Sequence, residues 1–303
     1  MKIAILSNGP GNYSTKRLKT VAEERGHEVD VIKYRDCYAS IERSQPLVWN
    51  DGEALVGYDA VIPRIASSMT RYGSAIVRQF EMQGIYTLTS SISIVRSRDK
   101  LRSMQLLARA GVGIPKTVVS RGSADVSDLI NHLGGAPIII KLARGTHGNG
   151  VVLAESKKAA KSVLQAFYVM DQDGTNILLQ EFVEESAGTD IRAFVVGGKV
   201  VASMMRQSLD DDFRSNLHQG GAGEKVKLTD DERKTAIKAA RSVGLNLCGV
   251  DMMRSERGPL VLEVNSSPGF GIEEVTGRDV ATPIIEYIER NAKRRNKKDK
   301  VGA

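Results

Sequence analysis

Short apolar runs, punctuated by glycine, proline and polar turns, organise this chain, and their spacing alternates between strand-like and helix-like periods. Residues 2–6 form an apolar run that stops at the turn Asn8-Gly-Pro-Gly11, as a buried strand does. Residues 14–25 carry apolar positions at helical spacing and close on Gly26, and 28–32 and 58–63 read as strands again. This β-α-β opening predicts a parallel sheet with crossover helices. Helices follow at 71–83 and at 99–110, the second ending on Gly111. Beyond it, strands are predicted at 116–119, 137–141, 151–154 and 177–181, with helices at 125–133 and 157–170 between them. Residues 191–196 and 199–205 form a hairpin around Gly197-Gly198. A charged helix spans 230–243, with Thr229 as N-cap and Glu232 completing a capping box. Strands at 247–253 and 259–265 and a helix at 281–294 finish the chain. The class is α/β (α+β), in three pieces.

Composition sets bounds and adds little else. At 303 residues, 41% hydrophobic and 26% charged, this is an ordinary globular chain long enough for two or three domains. Lys+Arg 43 against Asp+Glu 36 gives +7, which favours acidic partners. Seven of those cations lie between Arg290 and Lys300, so part of the excess reads as a solvated tail and not as a nucleic-acid arm. Cys37 and Cys248 have no metal-ligand spacing, and a reduced, cytoplasmic protein is the expectation. The apolar N-terminal run is too short for a signal peptide, and no stretch reaches membrane-spanning length.

The candidate chemistry is concentrated near the C-terminus. Glu263 and Asn265, two apart on a predicted strand, share a face, and Asp251 on the preceding strand offers a third oxygen. Two carboxylates and an amide, with no His or Cys beside them, suit Mg²⁺ or Mn²⁺ better than zinc. A charged Glu inside Leu-Val-Leu-Glu-Val also calls for a partner. Upstream, Arg144-Gly-Thr-His-Gly-Asn-Gly150 joins two strands and lacks the Gly-Lys-Ser/Thr of a P-loop. Such a loop still folds over phosphates through its backbone N–H groups. Lys141, ending the run Pro-Ile-Ile-Ile-Lys, and Lys100, opening a helix, would supply cations beside it. Gln180-Glu181-Phe182-Val183 ends another strand and offers backbone groups to an adenine edge and a carboxylate to a ribose. A dinucleotide site at Asn8–Gly11 is disfavoured, because position 14 of the Gly-x-Gly-x-x-Gly fingerprint is Ser. His147 and His218 are weak candidates for a base, and no Ser-His-Asp or Cys-His nucleophile is evident.

The ordered set Asp99-Lys100, Ile140-Lys141, Gly145–Gly150, Gln180–Val183, Asp190-Ile-Arg192, Asp251 and Glu263-Val-Asn265-Ser-Ser-Pro-Gly269 resembles the ATP-grasp carboxylate–amine ligases. The segments Arg98-Asp-Lys-Leu-Arg-Ser-Met-Gln-Leu-Leu107 and Asp212-Phe-Arg-Ser-Asn-Leu-His218-Gln-Gly-Gly221 resemble the RimK branch, whose bacterial type member adds glutamate to the C-terminus of small-subunit ribosomal protein six.

The resemblance implies an ATP-grasp fold behind a Rossmann-like pre-ATP-grasp domain at 1–97. A central subdomain at 98–182 carries the glycine loop, a C-terminal subdomain at 183–295 carries the metals, and 296–303 is a disordered basic tail. It implies that Lys100 and Lys141 hold phosphates, with Gly145, Gly148 and Gly150 in the covering loop. Glu181, Phe182 and Val183 would meet adenine, and Asp190 would lie on the sugar side. Arg192, Arg214, Ser215 and Asn216 would sit at the γ-phosphate and acyl end, with Arg192 and Arg214 catalytic. Asp251, Glu263 and Asn265 would bind two Mg²⁺ or Mn²⁺ ions. The implied partners are ATP, L-glutamate and an acidic protein C-terminus, in a homotetramer, with no membrane and no direct nucleic-acid contact. One stretch departs from the pattern: Arg206-Gln207 lacks the second basic residue common in relatives, and the residues after it are acidic. Glutamate self-condensation, another small-molecule or carrier-protein acceptor, and a non-catalytic ribosome-associated nucleotide binder are the other readings.

Overall fold

A computed structural model describes residues 1–43, 45–120, 126–142, 150–170, 177–186, 188–208 and 222–293. Gly145, Gly148, Arg214, Ser215, Asn216, His147, His218 and the tail 296–303 lie outside the described residues.

The opening folds as its pattern requires. Strands β1 (Lys2–Leu6), β2 (Glu28–Ile32), β6 (Ala60–Pro63) and β7 (Tyr86–Thr87) make a parallel sheet in the order β2-β1-β6-β7. Helix α1 (Tyr13–Glu24) lays Leu18, Val21 and Ala22 on this sheet, a spacing that puts them on one helical stripe. Between β2 and β6 lies a meander absent from the sequence expectation. It comprises β3 (Cys37–Glu42), β4 (Gln45–Asn50) and β5 (Glu53–Ala54), paired in that order. Helix α2 (Thr70–Met82) covers the opposite face of the parallel sheet through Ile76, Val77 and Phe80.

The helix expected at 99–110 forms as α4 (Lys100–Arg109), and a further helix absent from the sequence expectation, α3 (Ser91–Arg98), precedes it, the two divided at Asp99. Asp99 breaks the run because its extended backbone frees its carboxylate to accept from the Arg102 N–H at 2.9 Å, capping α4.

The second sheet is antiparallel, in the order β10 (Val151–Ala154), β9 (Ile138–Leu142), β11 (Ile177–Glu181), β8 (Thr117–Ser120). Helices α5 (Val126–Leu133) and α6 (Lys157–Met170) bury Ile138, Ile140, Ile177 and Leu179. Period two then sends Ile139, Lys141, Leu178 and Gln180 to the other face.

The third sheet has the order β14 (Ala222–Lys225), β13 (Lys199–Gln207), β12 (Thr189–Val196), β15 (Leu247–Met253), β16 (Leu260–Asn265), antiparallel throughout. Helices α4 and α7 (Asp230–Val243) cover the face carrying Ile191, Ala193, Val195, Cys248, Val250 and Met252. The opposite face therefore carries Asp190, Arg192, Gly249 and Asp251. Two short helices end the chain, α8 (Gly271–Thr276) and α9 (Ala281–Asn291). Ile284, Ile285 and Ile288 of α9 join Ile3, Ile5, Leu18, Phe194 and Phe270 in one core, so the C-terminus closes the first sheet. Among the described residues no helix is long and apolar enough to cross a membrane.

Candidate nucleotide and metal site

Strand register assembles the acidic set. Asp251 stands opposite Glu263 and Gly249 opposite Asn265 in the β15–β16 ladder. Asn265 Nδ2 donates to Glu263 Oε1 at 2.8 Å and lies 3.4 Å from Asp251 Oδ2, so the three side chains converge as their spacing predicts. One premise fails: Glu263 is exposed and not a buried strand charge, because β16 is the sheet edge and its outer face is open. Among the described residues no three His, Cys, Asp or Glu side chains cluster. The donor set is two carboxylates and an amide, which fits a hard divalent cation.

Asp251 is 2% exposed and both its oxygens are engaged. Arg192 Nε donates to Oδ1 at 2.7 Å and Nη2 to Oδ2 at 2.6 Å, a two-pronged clamp, and Arg206 Nη2 lies 3.0 Å from Oδ2. Burial alone would raise the Asp251 carboxyl, but the two guanidiniums outweigh it and hold the group below the usual carboxylate range. Arg206 is likewise bidentate on Asp190, through Nε at 2.6 Å and Nη2 at 2.5 Å. Asp190, expected on the sugar side, is thus buried in a four-membered network with Arg206, Asp251 and Arg192. Sequence reasoning treated Arg206 only as a point of departure from relatives and missed this role.

Two lysines face this network from the second sheet and its approach. Lys141, on the face of β9 away from α5 and α6, donates from Nζ to Gln180 Oε1 at 2.6 Å. Burial pushes its ammonium down to about 8, with Glu263 opposing and Lys100 adding to the shift. Lys100, at the first position of α4, reaches the Leu142 carbonyl at 3.2 Å, and burial lowers it too, partly offset by Glu263. Both ammoniums feel Glu263, so the cation pair and the acidic set belong to one site. Gly150 closes the start of β10 with φ 73°, a conformation open to glycine, and its carbonyl accepts from the Leu142 N–H at 2.9 Å. Glu181 ends β11 with its carboxylate accepting from the Lys116 N–H at 2.7 Å and from Arg257. Both bonds fall on the same Glu181 oxygen, Oε1. Phe182 follows it half-buried, and Val183 is buried beside it.

The first sheet meets the site from the other side. Arg64, directly after β6, donates from Nη2 to the Pro268 carbonyl at 2.8 Å and to Ser14 Oγ at 3.0 Å. Arg98, at the end of α3, donates from Nη2 to the Ile65 carbonyl at 3.0 Å. Burial and the facing charge of Arg98 push Arg64 down to about 10. Nothing in the sequence isolates Arg64, a lone cation after a buried strand.

Comparison with known proteins identifies the family. A family model described as the RimK-like ATP-grasp domain matches residues 97–288, and one described as the RimK PreATP-grasp domain matches 1–94. The chain is 56% identical over 299 residues to a probable alpha-L-glutamate ligase of Hydrogenovibrio crunogenus, covering 98% of each chain. It is 57% identical over 293 residues to a protein of the same name from Aliivibrio fischeri, covering 96% of each. Among solved structures, the fold matches the ATP-grasp ligase PsnB complexed with minimal precursor, Mg and ADP, at TM-score 0.73 and 20% identity, over 97% of this chain and 98% of that one. It also matches a RimK domain ATP-grasp protein from Sphaerobacter thermophilus at TM-score 0.71 and 17% identity, over 95% and 100%. Two contiguous RimK matches and relatives alike along nearly their whole length leave one family, and the chain belongs to the RimK family of ATP-grasp ligases, as an ATP-dependent ligase.

Proposed function

We propose that this ligase joins L-glutamate to the C-terminal carboxylate of an acidic acceptor, with small-subunit ribosomal protein six as the favoured acceptor and a growing poly-α-glutamate chain as a close variant. The observation that carries the reaction class is that Lys100 and Lys141 both feel the charge of Glu263, whose carboxylate Asn265 holds beside Asp251. Glutamate as the amine follows from the name borne by relatives 56% identical to this chain.

A carboxylate is a poor acyl donor at neutral pH, so the acceptor carboxylate first takes the γ-phosphoryl group and becomes an acyl phosphate. The amine of glutamate then attacks the acyl carbon, and the tetrahedral oxyanion collapses with loss of phosphate. Lys100 and Lys141 neutralise the polyphosphate, and Glu181, Phe182 and Val183 line the adenine end through the backbone. Asp190 orients Arg206, and Arg192 with Arg214 stabilises charge on the transferring group. Ser215 and Asn216, outside the described residues, would meet that group, and the loop containing Gly145, Gly148 and Gly150 would shield the acyl phosphate from water. Asp251, Glu263 and the amide oxygen of Asn265 would hold the two divalent ions, Mg²⁺ or Mn²⁺, whose contribution is neutralisation of the phosphates.

The test is mass spectrometry of candidate acceptors incubated with ATP, Mg²⁺ and glutamate. Glutamyl additions that require the acceptor, with matching ADP release, are expected. Absence of turnover with glutamate on every acidic peptide and on glutamate itself would sink the reading. Glu263→Ala is expected to abolish product while preserving the thermal midpoint, because Glu263 is exposed.

A further inference from the structure

The crevice at the carboxyl ends of β1 and β6 holds cations that the chemistry above leaves unused. In the order β2-β1-β6-β7 the winding reverses between β1 and β6, so the chains leaving these strands diverge, and open parallel sheets receive ligands at such a point. Arg64 leaves β6 there, opposite Ser14 at the start of α1. Its Nη2 is held by Ser14 and Pro268, and its guanidinium carbon lies 5.3 Å from the centre of the Phe270 ring. Its Nη1 is buried with no hydrogen-bond partner among the described residues. Arg98 repeats the pattern: Nη2 is held by the Ile65 carbonyl, while Nε is buried with no partner among the described residues. Ser266 Oγ, two residues before Pro268, is a further buried orphan. Neither arginine forms an ion pair with an acid among the described residues.

Half-buried guanidiniums without a counter-ion among the described residues are costly, and a fork with one branch fixed and another unpartnered suits a carboxylate. We propose that Arg64 and Arg98 bind a carboxylate of the incoming amino acid and direct its amine toward the Asp251–Glu263–Asn265 end of the site, a role that rests on the ligase reading above. The acceptor carboxylate is the poorer occupant. It must attack a phosphoryl group, and charge-assisted bonds to a guanidinium would withdraw the electron density it needs. The distance suits a small molecule: Pro268 lies three positions beyond Asn265, a chain reach of at most about 11 Å.

The experiment measures initial rates for wild type, Arg64→Gln, Arg64→Lys and Arg98→Gln with glutamate, glutamine and glutamate α-amide. The KM for ATP and the thermal midpoint serve as folding controls. For Arg64→Gln, the KM for glutamate is expected to rise about tenfold or more, far beyond any change in the KM for ATP, with Arg64→Lys intermediate. In wild type, one of the two amides should bind as poorly as glutamate does to Arg64→Gln, and that amide should lose little more in the variant, which identifies the bound carboxylate. An unchanged KM for glutamate in both glutamine variants of an active, folded enzyme overturns the pocket and leaves the ligase reading intact. If wild type turns over a different amino acid, the glutamate reading fails on its own. The effect of Arg64→Gln on the KM for that amino acid then decides the pocket separately.

Discussion

The residues of the site are held in a compromise between ligand binding and stability. Lys141 sits where burial disfavours its charge, with Glu263 and the bond to Gln180 in partial compensation. A lysine lowered to about 8 in the fold and near 10.5 unfolded makes the folded state bind fewer protons between those values. Its penalty is therefore fully present below pH 8 and disappears as pH rises toward 10.5. Lys141→Met should stabilise the nucleotide-free protein at pH 7 by on the order of 1 kcal/mol while weakening ATP binding severely. Paired urea melts and nucleotide titrations check this, and a destabilised variant would show that the Gln180 bond outweighs the desolvation. Asp251 is the opposite case, a buried acid whose removal leaves Arg192 without a counter-ion. Asp251→Ala is expected to lose about 3 kcal/mol or more in urea unfolding, beyond its loss of turnover.

Among elements, local grammar was legible and register was not. The box at α7 needs only residues three apart, and it forms as its pattern predicts: Thr229 Oγ1 accepts from the Glu232 N–H at 3.2 Å, and the Glu232 carboxylate accepts from the Thr229 N–H at 2.8 Å. Thr229→Ala should cost about 1 kcal/mol in thermal unfolding with kinetics unaltered, since α7 covers the sheet face away from the site. Strands β15 and β16 were legible for the same reason, being apolar runs with oxygen ligands at alternate positions. The Asp190–Arg206 pair was not. Counting back from the Gly197-Gly198 turn sets Asp190 opposite Met205. A bulge at Phe194/Val195 shifts the ladder by one and delivers Arg206. The β3–β5 meander escaped because Cys37–Glu42 mixes apolar and polar positions without a clean alternation. Helix α3 escaped because its serines blur the apolar stripe.

On the scale of the molecule, polar ties as well as the core fasten the last helix to the first sheet. Arg25 Nε and Nη2 donate to the two oxygens of Glu289 at 2.8 and 2.7 Å, and His27 Nε2 lies 2.9 Å from Oε1. The Arg25 bonds, against a smaller opposing effect of burial, hold Glu289 down to about 2, with His27 reinforcing them. A depressed carboxyl contributes stability above its unfolded pKa and loses it as pH falls through the folded one. The stability difference between wild type and Glu289→Gln should therefore be constant above about pH 4.5 and shrink toward zero by about pH 2, as acid titrations of unfolding would record. The shared core of Ile3, Ile5 and Leu18 with Ile284, Ile285 and Ile288 has a consequence for biogenesis. The first sheet is made before α9, the helix that closes one of its faces. An apolar face therefore waits until α9 is made, and the boundary between the two family matches is not where folding can stop. A fragment ending at residue 97 should aggregate or bind a hydrophobic dye, and supplying residues 281–293 on a tether should quench that signal. Completion of the first sheet's fold is thus a checkpoint that only a chain extending through α9 can pass.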